Sequence, residues 1–104
     1  MSSFNDVNIK KEANVYFDGK VTSRSIEFKD GVEKSLGIMQ EGEYRFNTEA
    51  AEIMEMYSGN FEIRPEGKDE FTKMSPPCRF EVPKNSYFDI KVHELTDYCC
   101  TYIN

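Results

Sequence analysis

Apolar and polar positions alternate along most of the chain from Val15 onward, and a period of two marks half-buried strands. Val15-Tyr16-Phe17 runs into Asp18-Gly19, a turn pair. Val21 to Lys29 leads to Asp30-Gly31, a strong hairpin signal, and Val32 to Met39 answers it as the partner strand. Glu41-Gly42-Glu43 turns the chain again, after which Tyr44, Phe46 and Thr48 share one face. Later, Phe71 to Met74 is a short strand and Ser75-Pro76-Pro77 a rigid break. Arg79 to Val82 is a strand closed by Pro83-Lys84-Asn85, and Phe88, Ile90 and Val92 alternate with Asp89, Lys91 and His93. Tyr98 to Ile103 carries apolar groups on both faces, as a buried strand does.

One segment reads two ways. Ala50, Ile53, Met54 and Tyr57 stand at helical spacing among good helix formers, so local propensity alone makes Thr48 to Tyr57 a helix. Against that, Ser58-Gly59-Asn60 reads as a hairpin turn into Phe61-Glu62-Ile63, which makes the same stretch a strand. The first 13 residues are polar and weakly patterned, a loose arm, and residues 14–104 form one domain. About eight to ten short strands at turn spacing predict an all-β sandwich or barrel.

Composition narrows the function classes. Eight Phe and six Tyr among 104 residues supply much of the apolar area and favour strands. The net charge of −6 excludes nucleic acid as the main partner, since phosphate backbones need a basic footprint. It leaves room for a neutral ligand or for a small anion held by local cations. No apolar run reaches membrane-spanning length and residues 1–14 hold no apolar signal core, so neither a membrane nor a secreted protein is expected. Cys78, Cys99 and Cys100 are odd in number and the last two point to opposite faces of a strand, which reads as reduced thiols in the cytoplasm. A chain this small buries a modest share of its surface, so self-association is expected.

The chemistry-bearing residues are few. A single histidine, His93, on the polar phase of its strand and scattered cysteines give no metal-ligand spacing. No nucleophile elbow and no phosphate-cradling glycine loop occur. Glu52, beside Ala51 and Ile53 in a methionine-rich stretch, is either a carboxylate waiting for a ligand hydroxyl or cation, or an exposed strand-end residue. Lys20 and Arg24 stand two pairs apart on one strand face and are candidates for an anion, with Arg45 and Arg79 as alternatives. Ser23, Ser25, Thr48 and Ser86 offer hydroxyls.

Several stretches together resemble one family. They are Val15 through Arg24, Leu36-Gly37-Ile38-Met39, Gly42-Glu43-Tyr44 with Phe46, Ser58-Gly59, Phe80-Glu81-Val82-Pro83 with Ser86 and Phe88, and Thr96 through Cys100. In order and spacing, across residues 14–103, the set is similar to the small cupin-like pyrimidine/purine nucleoside phosphorylases. The resemblance implies a jelly-roll cupin barrel, and hence a strand at Glu52 to Tyr57. Aligning the cupin glutamate and glycine on Glu52 and Gly59 puts the metal-histidine slots on Phe46, Thr48 and Phe88, so no metal or other cofactor is expected.

What the family implies is phosphorolysis: a purine or pyrimidine nucleoside and phosphate give free base and pentose 1-phosphate. Cleavage of the C1′–N bond passes through an oxocarbenium-like state, and the enzyme positions phosphate against C1′. On that reading Tyr44, Phe46, Thr48 and Phe88 enclose the nucleoside, with the rings stacking on any base. Glu52 meets the ribose hydroxyls or supports the oxocarbenium, and Lys20 and Arg24 meet phosphate. A cytoplasmic homodimer is expected, because small cupin barrels commonly pair. The alternative is a metal-free cupin that binds a small molecule without turning it over.

Overall fold

The register of the strands follows from the alternation, with one exception at the centre of the chain. The structure, a computed structural model, describes residues 2–103. Nine strands form: β1 (Asn8–Ile9), β2 (Asn14–Tyr16), β3 (Val21–Glu27), β4 (Glu33–Met39), β5 (Gly42–Asn47), β6 (Ala51–Pro65), β7 (Thr72–Met74), β8 (Cys78–Val82) and β9 (Tyr87–Ile103). A single 3-10 turn, Phe17–Gly19, stands between β2 and β3, and no α-helix occurs among the described residues. The ends of the expected arm and domain, Met1 and Asn104, lie outside the described residues.

The β3–β4 hairpin forms where Asp30-Gly31 predicts it. Gly31 takes φ +89°, and the Asp30 carboxylate accepts the Val32 amide at 3.0 Å. Thr48 to Tyr57 is resolved as strand. As a helix it would bury one stripe, whereas as β6 it pairs on both edges, with β8 on one side and β9 on the other. Pairing on both edges outweighs local propensity.

Ser58-Gly59-Asn60 is not a hairpin turn. β6 runs straight through it, and the register against β9 shifts between Met56 and Phe61, the mark of β-bulges. Gly59 adopts φ +129°, and a Cβ there would collide with Thr96. The bulge flips the phase of the strand: Met54 and Met56 are buried before it, Phe61 and Ile63 after it. Without that flip, one half of β6 would turn its apolar side to water.

The expected strands at Phe88 to Val92 and at Tyr98 to Ile103 are likewise one long strand, β9. Its first half pairs with β5 and the end of β6, its second half with β4 and the start of β6. Both long strands therefore serve two sheets, which close over a core of Met39, Met56, Phe61, Phe88, Ile90 and neighbouring residues. The ladder does not close on itself, so the barrel is an open sandwich of jelly-roll type. Cys99 and Cys100 are both buried, on opposite sides of β9, and all three cysteines are free. Ahead of β2, the chain lies along β3: β1 pairs with it, the Lys10 amide donates to Ser25 O at 3.0 Å, and the Arg24 guanidinium donates to the Lys11 carbonyl.

Candidate functional site

Between the two sheets lies a cavity of about 360 Å³ with walls of unlike chemistry. One wall is aromatic. Phe46 on β5 and Phe88 on β9 are cross-strand neighbours whose rings stack at 5.4 Å, braced by Phe17 at 5.5 Å and Phe80 at 5.2 Å. The other wall is polar, and strand alternation builds it. Tyr98, Cys100 and Tyr102 share the inner face of β9, with Ser35 of β4 opposite Cys100 and Glu52 of β6 opposite Tyr102. Ser23 on β3 and Tyr16 on β2 complete it.

The polar wall is pre-ordered. Ser35 Oγ and the Tyr102 hydroxyl are hydrogen-bonded at 3.1 Å. Asn14 Nδ2 donates to Ser23 Oγ at 3.2 Å and to Ser25 Oγ at 3.0 Å. Burial pushes the Glu52 carboxyl above its usual range, against a smaller opposing effect from its hydrogen bond with the Cys100 thiol. Burial also raises Cys100, with the nearby Glu52 charge adding to it, and raises Tyr98 and Tyr102. Each of these shifts favours the protonated form of its group. Glu33 and Glu49 are exposed lining residues, and no lysine or arginine lines the cavity among the described residues.

Of the residues singled out from sequence, the fold brings Phe46, Phe88 and Glu52 together in this cavity. Ser23, one of the hydroxyl candidates, lines it as well, whereas Tyr44, Thr48, Lys20 and Arg24 lie elsewhere. Tyr44 lies in the core, its hydroxyl donating to Gln40 O at 2.6 Å and its ring 4.8 Å from Phe17. Thr48 Oγ1 donates to Pro83 O at 2.6 Å and accepts the Ser86 amide at 2.9 Å, which ties two loops together. Lys20 is exposed beyond the 3-10 turn. Arg24 follows inward-facing Ser23 and so points outward.

Ser35, Tyr98, Cys100, Tyr102 and Asn14 are site residues that the sequence reading passed over. Their signal was present in the C-terminal run, where Tyr98, Cys100 and Tyr102 alternate on one face. Phe46, Thr48 and Phe88 occupy the positions that the cupin resemblance assigns to metal ligands. Two lack any ligand atom and the Thr48 hydroxyl is already committed twice, so these residues do not fit a metal ion.

A family model described as pyrimidine/purine nucleoside phosphorylase matches residues 11–102. A pyrimidine/purine nucleoside phosphorylase of Chlorobium chlorochromatii is 54% identical over 99% of both chains. Among solved structures, an Acinetobacter protein of unknown function superposes with a TM-score of 0.93 at 33% identity, covering 97% of this chain and 98% of its own. An RmlC-like cupin from Shewanella frigidimarina, only 14% identical, superposes with a TM-score of 0.69 over 96% of this chain and 86% of its own, which shows the cupin-like fold alone. The chain belongs to the pyrimidine/purine nucleoside phosphorylase family.

Proposed function

We infer that the protein is a nucleoside phosphorylase, which splits purine and pyrimidine nucleosides with phosphate into free base and pentose 1-phosphate. Family membership supplies the reaction, and the observation that carries it to this site is the two-walled cavity. A nucleoside has a flat π-face at one end and a hydroxyl-rich sugar at the other. Phe46 and Phe88 offer a stacking surface that accepts any base, which accounts for the breadth of substrates. Glu52 stands across from them, where a carboxyl group can hold the pentose hydroxyls or face the developing oxocarbenium. Tyr44 and Thr48 support this surface from behind rather than touching the nucleoside. Lys20 and Arg24, turned outward, carry no role in it.

The working form is a homodimer in the cytoplasm. Val15 and Ile38, 61% and 40% exposed, stand either side of Thr22 in one cross-strand row and offer an apolar strip to a second copy. Free cysteines suit a reducing compartment. No helix is long and apolar enough to cross a membrane among the described residues.

The experiment is incubation with adenosine or uridine, with and without phosphate, in the presence of chelator. Phosphate-dependent release of adenine or uracil is expected. Release that ignores phosphate, or nucleoside-induced thermal stabilisation with no release, would replace phosphorolysis with hydrolysis or with simple binding.

A further inference from the structure

We propose that the phosphate co-substrate is held by neutral hydroxyl donors on the polar wall, Ser23, Ser35, Tyr98 and Tyr102, with Asn14 as their positioning residue. The proposal rests on the phosphorolysis reading and assigns the half of the substrate pair that the aromatic wall cannot hold.

Phosphate dianion accepts hydrogen bonds and, at its unprotonated oxygens, donates none. Its subsite must therefore be rich in donors. Phe46 and Phe88 have none, and no lysine or arginine lines the cavity among the described residues. The donors on offer are hydroxyls in pairs, and a pair of hydroxyls bonded to each other keeps one hydrogen for a ligand. Ser23 Oγ accepts from Asn14 Nδ2 at 3.2 Å and is also bonded to the Tyr98 hydroxyl, so one hydrogen of the Ser23–Tyr98 pair remains for the cavity. Within the Ser35–Tyr102 pair at 3.1 Å, one hydroxyl donates to the other and the second keeps its hydrogen for the cavity. Fixed hydroxyl dipoles aimed at one point can stabilise an anion as an oxyanion hole does, with no cation present.

The acids around the cavity are consistent with this. Glu52, half-buried and with no lysine or arginine lining the cavity among the described residues, is pushed by burial toward its protonated form, which weakens its repulsion of an anion. Glu33 and Glu49 are solvent-exposed, where water and salt screen them. In the reaction, a phosphate oxygen bonds to C1′ as the C1′–N pair leaves with the base. The proton of HPO4 2− ends on that base, so charge and protons balance without a co-reactant.

Asn14 acts through others. From β2 it reaches across to β3 and holds the Ser23 and Ser25 hydroxyls at 3.2 and 3.0 Å, which fixes the direction in which Ser23 donates.

The test is steady-state phosphorolysis with phosphate and nucleoside varied separately, alongside calorimetric titration with inorganic phosphate. Ser35→Ala and Tyr102→Phe should each raise the phosphate KM roughly tenfold or more, as loss of a hydrogen bond to a charged group does, with nucleoside KM little changed. Asn14→Ala should move the same constant in the same direction. A Lys20→Ala/Arg24→Ala double variant should leave it unchanged. If Tyr102→Phe fails to fold, Ser35→Ala and Tyr98→Phe still decide. A phosphate KM that rises in the Lys20/Arg24 variant and not in the hydroxyl variants overturns the proposal, as does an effect confined to nucleoside KM. A wild-type protein that binds phosphate by these hydroxyls yet releases no base would sink the phosphorolysis reading alone.

Discussion

Among the described residues no lysine or arginine lines the cavity with Glu52, so burial governs how its charge responds to pH. Its folded pKa lies above the usual 4.5, because burial disfavours the carboxylate. The folded state then holds the proton more tightly than the unfolded chain. The resulting stability is fully present below 4.5 and is lost as pH rises through the folded value. Glu52→Gln keeps the shape and stays neutral throughout. Chemical denaturation should show the variant gaining on wild type between those two pH values, with a constant difference above them; a gap independent of pH would refute the assignment. The same variant should lose roughly tenfold or more in kcat/KM, the scale of one hydrogen bond to a polar or charged group. Thr48 makes a different point. Its hydroxyl is buried and serves Pro83 O and the Ser86 amide, so Thr48→Val should cost about 1–3 kcal/mol by leaving both unpaired, read from urea unfolding, with substrate KM values unmoved. Sequence alone shows a threonine in phase with Phe46. It cannot show that a loop carbonyl 35 positions on, at Pro83, takes its hydrogen.

At the scale of elements, legibility tracked how local the cause was. The β3–β4 hairpin is set by Asp30-Gly31, within a few residues of the strands it joins, and the sequence displays it in full. β6 is set by partners far away, β8 and β9, so its own residues advertise a helix that the fold overrides. Ser58-Gly59-Asn60 misleads for a related reason: a bulge and a turn demand the same small residues and positive φ. What separates them is whether the next stretch folds back or continues, and Phe61 continues along β9 opposite Val92. The site shows the same division. Phe46, Phe88 and Glu52 follow from cupin positions, whereas the hydroxyl wall depends on β3, β4 and β9 meeting in register. The bulge itself yields a prediction. Gly59→Val sets a β-branched residue at φ +129° against Thr96, so it should cost about 3 kcal/mol or more. A variant with an unchanged melting temperature would mean that the bulge is not held as described.

At the scale of the whole molecule, a row of charges crosses the sheet that carries the aromatic wall. Arg45 on β5, Asp89 on β9 and Arg64 on β6 are direct cross-strand partners. Asp89, 8% exposed, accepts from Arg45 Nε at 2.7 Å and from Arg64 Nη2 at 3.0 Å. The row joins three strands one position from Phe46 and Phe88, so it braces the stacking surface from outside. The hydrogen bond from Arg45 comes first in holding the Asp89 carboxyl below its usual 3.8, with Arg64 adding to it and burial opposing. The sign is opposite to that of Glu52. A depressed pKa means stability that is present above 3.8 and lost as pH falls through the folded value. Wild type should therefore weaken toward acid through Asp89 and toward neutral pH through Glu52, one carboxyl on each side of the same sandwich. Asp89→Asn isolates the first effect: its deficit against wild type should be largest at neutral pH and shrink as the medium is acidified below 3.8. High salt should shrink it less than it would an exposed pair, since Asp89 is buried even though Arg45 is half in solvent. A deficit that stays constant from pH 7 down to strong acid would show that the row is held by packing around the residue, and not by its charge.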